Sequence, residues 1–105
     1  MEIIIMTVYL VGHIQITDPA RYHDYEAGFL DALAPFKGTI LAADDAPKIL
    51  EGEAQKGRVV ILSFPNQKAQ EGWYASDAYQ TIMVARHEAA NSQIMAVQGF
   101  EIPGQ

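Results

Sequence analysis

The chain has 105 residues, half of them apolar, with seven basic and thirteen acidic residues and a net charge of −6. That length predicts one domain, residues 1–105, with a core of modest size. The acidic balance argues against a nucleic-acid partner, which needs a basic footprint, and against an anionic membrane surface. No cysteine occurs, which excludes disulfides, thiolate nucleophiles and Cys-based metal or iron–sulfur sites.

The apolar start MEIIIM is short and carries Glu2, with no basic region or cleavage site after it. No run approaches the roughly 20 apolar residues that span a bilayer. A cytoplasmic protein is expected, with Met6 an alternative start to Met1.

Residues 5–16, IMTVYLVGHIQI, are rich in β-branched and aromatic residues and predict a strand. Alternation places Val8, Leu10, Gly12, Ile14 and Ile16 on a core face. Tyr9, Val11, His13 and Gln15 share the other face, which is partly polar and meets water, a ligand or a partner. In TDPARYHDYEAGFLDALAPF, Thr17 or Asp18 can cap a helix and Pro19 suits its first turn. Tyr22, Tyr25 or Glu26, Phe29 and Leu33 recur at helical spacing, Gly28 weakens the middle and Pro35 marks the end.

GTILAAD, residues 38–44, predicts a second strand. A turn-rich DAPK follows, then KILEGE as a short extended piece. RVVILSFP, residues 58–65, is an almost continuous apolar run and predicts a central strand. NQKAQEGWYAS predicts a short helix, and Ser76 caps the next. DAYQTIMVARHEAANSQ carries Tyr79, Ile82, Met83, Arg86 and Ala90 on one stripe. IMAVQGFEI predicts the last strand, ended by Pro103.

The order is two βαβ halves, which predicts an α+β, ferredoxin-like βαββαβ fold: a four-stranded antiparallel sheet with helices on one face. The other sheet face is bare, and a second copy is the expected cover. A homodimer through the face of Tyr9, Val11 and His13 is therefore predicted, pairing into a dimeric α/β barrel.

Tyr9, the set Asp18, Pro19, Tyr22 and Tyr25, Glu51-Gly52, Phe64-Pro65, and WYxSxxYQ followed by Arg86 together resemble one family, the domain of unknown function 1330 (DUF1330), within the dimeric α/β-barrel superfamily. The resemblance runs from Thr7 to about Phe100. It implies a ferredoxin-like protomer whose sheet pairs in a dimer. It implies no reaction, since the wider superfamily holds cofactor-independent monooxygenases, isomerases and haem proteins alike.

Candidate catalytic residues are His13, Tyr25, Glu51 and Arg86. An Arg on an apolar stripe needs a carboxylate, and on the family pattern Glu51 is its partner; a structural ion pair and a clamp for a substrate carboxylate are the two readings. His13 suits proton transfer near neutrality, or is a satisfied structural histidine. Candidate substrate-binding residues are Tyr22, Trp73, Tyr74, Ser76 and Tyr79. Trp73 and Tyr79 should face the sheet and finish the core. A helix break at Ser76 opens a gap that such rings could floor as a pocket.

His23 and His87 read as surface residues. There is no clustered His/Asp/Glu motif and no phosphate-binding glycine pattern, so neither a metal nor another cofactor is expected. Two functions stay open. One is a small-molecule-binding protein that acts as a cofactor-independent enzyme of monooxygenase, isomerase or cyclase type on a small aromatic or carbonyl compound. The other is a non-catalytic dimeric binding or structural module.

Overall fold

The computed structural model describes residues 6–100. Strand β1 spans Val8–Ile16, helix α1 Pro19–Leu33, strand β2 Thr39–Asp44, strand β3 Arg58–Phe64, helix α2 Gln67–Ala75, helix α3 Asp77–Ala89 and strand β4 Ala90–Gln98; a single 3-10 turn covers Ala34–Phe36. The antiparallel sheet runs β2-β3-β1-β4. With three helices against one face, this is the expected ferredoxin-like α+β architecture.

The helix boundaries follow from side chains that satisfy free backbone groups. The Asp18 carboxylate accepts from the Arg21 amide and Pro19 occupies the first turn of α1. Asn66 caps α2 through the Ala69 amide. Ser76 closes α2 and opens α3: its hydroxyl donates to the Trp73 carbonyl at 2.7 Å and accepts from the Tyr79 amide at 3.2 Å.

Period-two alternation decides the faces of β1. Val8, Leu10, Gly12 and Ile14 are buried, whereas Tyr9, Val11 and His13 are only half-buried. Cross-strand pairing carries the pattern outward: Leu10 pairs with Leu62 and Ala96, Gly12 with Val60 and Ile94. On the helix side the core closes over Leu10, Ile14, Leu62 and Phe64 with Tyr22, Tyr25, Leu33, Trp73 and Tyr79. Among the described residues, no helix is long and apolar enough to cross a membrane.

Two expectations are corrected. KILEGE, expected as a short extended piece, bends at residues 50–52 within a loop, residues 45–57, from β2 to β3 in which Leu50 is 83% exposed. The neighbouring edge strand β2 is short, exposed and bulged at Leu41. Strand β4 also begins at Ala90, four residues before the expected Ile94, and α3 stops at Ala89. The Ala89 carbonyl accepts from the amides of Thr17 and Asp18 and from the Thr17 hydroxyl, which ties the chain down at that point. Asn91 and Gln93 then point away from the helices, so this strand start looks polar in sequence. Ile5 and residues 101–103, expected at strand ends, lie outside the described residues.

Gly28 has a tertiary reason. A Cβ there would stand 2.7 Å from Cγ2 of Ile82, where α1 meets α3. Gly28→Ala gains about 1 kcal/mol of helix propensity but overpacks the contact, which costs about 1–3 kcal/mol. Chemical denaturation should show a net loss of stability; a gain would show that Ile82 rotates away freely.

Candidate functional site

Helix α1 lays Tyr22, Tyr25 and Phe29 along the sheet, spaced three and four residues apart as one face requires. Their rings stack in sequence, with centroids 5.3 Å apart for Tyr22–Tyr25 and 5.5 Å for Tyr25–Phe29. Beneath them lie Ile14 of β1 and Val60 of β3, and these residues enclose a cavity of about 210 Å³. The volume is below the ~300–1,000 Å³ of sites for drug-sized ligands, so it suits a compound of about one ring. Ile40 and Ala43 of β2 and Leu30 of α1 form its outer edge.

Two arginines flank the tyrosines. Arg58 lies 5.6 Å from the Tyr22 ring centroid and pairs with Asp45 at 2.6 Å and Glu26 at 3.3 Å. The Asp45 carboxylate holds the Arg58 pKa above its ordinary value, and Arg58 holds that of Asp45 below the usual carboxylate range. Arg86 of α3 lies 5.9 Å from the Tyr25 centroid and is 3% exposed. Its Nε has no hydrogen-bond partner, and no ion pair reaches it among the described residues.

Burial pulls the Arg86 pKa down, but the hydroxyls of Tyr79 and Tyr25 outweigh it and the net shift is upward. The guanidinium therefore stays charged. Burial pushes the Tyr25 phenol far up, reinforced by Tyr79, and pushes Tyr22 up as well. Both phenols are therefore neutral at physiological pH and can donate hydrogen bonds.

The predicted site residues thus separate into four places. Tyr22 and Tyr25 line the cavity. Arg86 packs behind Tyr25, but without the expected Glu51: that carboxylate sits exposed in the β2–β3 loop and joins no ion pair among the described residues. Glu51 was placed beside Arg86 by a motif, and a 13-residue loop does not bring it there. His13 is on the opposite face of the sheet and cannot act in the same cavity.

Trp73 and Tyr79 do not line this cavity, and the gap expected at Ser76 is filled. Their rings stack at 4.1 Å, each is 1% exposed, and Tyr79 donates to or accepts from the Tyr25 hydroxyl at 2.8 Å. Ser76 spends its hydroxyl on the helix junction, and Tyr74 lies at the rim, 37% exposed. These four are core and cap. The residues that sequence reasoning missed are Arg58 and Glu26. One opens an apolar run and the other is an ordinary helix charge; only the packing of α1 over β3 brings them together.

Tyr25→Phe leaves the Tyr79 hydroxyl buried without its partner, a loss of about 1–3 kcal/mol. Thermal unfolding of the variant checks it. An unchanged midpoint would mean that Tyr79 finds another partner.

The solved structures that this chain resembles share its fold at low identity. The protein RPA0582 of Rhodopseudomonas palustris, of unknown function, superposes with a TM-score of 0.75 at 13% identity, over 92% of this chain and 85% of that one. The cofactor-independent oxygenase SnoaB of Streptomyces nogalater does so with a TM-score of 0.63 at 13% identity, over 95% and 99%. A protein of Caulobacter crescentus CB15, proposed to be an antibiotic biosynthesis monooxygenase, has a TM-score of 0.60 at 17% identity, over 92% of each chain. No curated protein matches the sequence. These structures share the ferredoxin-like α+β fold of this chain. Residues 7–100 match the family model described as domain of unknown function (DUF1330), and the chain belongs to that family.

Proposed function

We propose that the protein is a cytoplasmic homodimer that binds a small aromatic or carbonyl compound in the cavity between α1 and the sheet. The observation that carries this reading is the buried Arg86 beside Tyr25. An unpaired buried guanidinium is expensive, and a fold retains one most readily where it acts on charge. Here it stands behind a neutral phenol at the wall of an aromatic cavity. Tyr25 can donate to a ligand oxygen while Arg86 stabilises negative charge that develops there. That is what a cofactor-independent enzyme needs when its substrate forms an enolate or phenolate, and SnoaB, which shares the fold, is a cofactor-independent oxygenase.

A second reading is favoured by one observation. Glu26, the only carboxylate among the described residues that lines the cavity, is already paired with Arg58. No free base is then at hand, and a non-catalytic binding module would look the same.

A thermal-shift panel of phenols, hydroxyquinones and enolisable ketones tests binding, because a ligand raises the midpoint in proportion to ln(1 + [L]/Kd). A concentration-dependent rise is expected with at least one class, and Ala43→Trp, which fills the cavity edge, should abolish it. No rise across the panel, or a rise that Ala43→Trp leaves intact, would refute the reading. Oxygen uptake by a ligand that binds separates enzyme from binding module.

A further inference from the structure

The face of the sheet turned away from the helices is divided along β1 and β4. At one end Tyr9 pairs with Val97 and Val11 with Met95. At the other, His13 pairs with Gln93 and Gln15 with Asn91. One end is therefore apolar, and the other consists of an imidazole and three amides. A face made only to be covered by a second copy needs no such polar half.

The β2–β3 loop arrives over the polar end with Lys56, and together they line an open cleft of about 530 Å³. No carboxylate among the described residues lines it, although the chain is acidic overall. Its groups include donors: the Lys56 ammonium, the side-chain amides and the His13 imidazole. One of their atoms, Nε2 of His13, is buried without a hydrogen-bond partner.

Gly57 explains how the loop comes so close. Its φ is +127°, and a Cβ there would stand 2.8 Å from the Ile14 carbonyl oxygen and 3.2 Å from Nε2 of His13. Any other residue would be strained at that φ and would crowd the imidazole.

We propose that this cleft is a second binding site, for a small oxyanion-bearing metabolite with a carboxylate or phosphate group. Lys56 and the amide N–H groups take the anion, and the amide carbonyls accept from hydroxyls that the ligand carries. The site is separate from the tyrosine cavity, on the other side of the sheet. It depends on the dimer only for how far a partner closes it.

The test is a titration of the full chain with succinate, inorganic phosphate and glycerol at constant ionic strength, followed by the side-chain amide NMR signals of Gln15, Asn91 and Gln93. Saturable shifts with succinate or phosphate and none with glycerol are expected, and whichever anion binds identifies the source. Lys56→Met should weaken binding about tenfold, the loss of one charge contact of ~1.4 kcal/mol. Lys56 is exposed and joins no ion pair among the described residues, so this variant is expected to fold. Ala43→Trp should leave binding unchanged, which distinguishes this site from the tyrosine cavity. No saturable shift, equal binding of glycerol, or full binding by Lys56→Met would overturn the proposal.

Discussion

Trp73→Ala is expected to lower the unfolding free energy by about 3–5 kcal/mol, the range for emptying a buried aromatic site. Trp73 is 1% exposed and sits at the centre of the ring cluster. Its centroid lies 4.1 Å from Tyr79, 5.2 Å from Phe64 and 6.2 Å from Phe29. These neighbours come from α3, β3 and α1, so no single element can collapse into the space. For a domain of this size about 4–8 °C accompanies each kcal/mol, and the variant should melt more than ten degrees lower. Trp73→Phe should lose far less, because it keeps a ring there and removes an Nε1 that is buried without a partner. Thermal and denaturant unfolding check both. Equal losses for the two variants would mean that the indole N–H carries the stability through a contact absent here.

Met95→Lys is expected to dissociate the proposed dimer while leaving the protomer folded. Met95 and Val97 are 54% and 42% exposed on the sheet face away from the helices, next to Tyr9 and Val11, and Leu41 adds 52% from the β2 bulge. Exposed apolar groups in such a contiguous strip mark an interface. An obligate dimer across it should bury more than roughly 2,000 Å² in total. Two-fold symmetry doubles every substitution, so Met95→Lys buries two ammonium groups, each at a cost of several kcal/mol unless paired. Light scattering should give a dimer for the parent chain and a monomer for the variant, with the circular dichroism of a folded α+β protein in both. A parent chain that is monomeric at micromolar concentration would sink the dimer. A dimeric variant would move the interface to another surface, such as the helix side where Leu30 and Val84 are exposed.

The family motif and the pattern of β1 made the fold legible. Val8, Leu10, Ile14 and their partners alternate as a half-buried strand must, and Pro19, Asn66 and Ser76 stand where helices begin. The start of β4 was not legible. Asn91 and Gln93 are polar because they face away from the core, Ser92 lies on the helix side beside Ile14, and only pairing with Gln15, Ile14 and His13 makes the three a strand. The site was half legible. Tyr22 and Tyr25 line a cavity as expected, because helical spacing places both on the buried face. Trp73 and Tyr79 fill core instead, because the break at Ser76 brings their rings together rather than apart.

Local chemistry acts over a few residues, and that is the range over which the sequence by itself determined this protein. It set strand faces through period two, helix starts through capping side chains, and the absence of thiol chemistry through composition. Tertiary structure decided everything that depends on which elements meet. It left Arg86 buried without Glu51, since a loop has no reach that a motif can state. It brought Arg58 and Glu26 to the same cavity from β3 and α1. It put His13 on the far side of the sheet from Tyr25, although twelve residues separate them in the chain, because a strand turns successive side chains to opposite faces while a helix keeps one face inward.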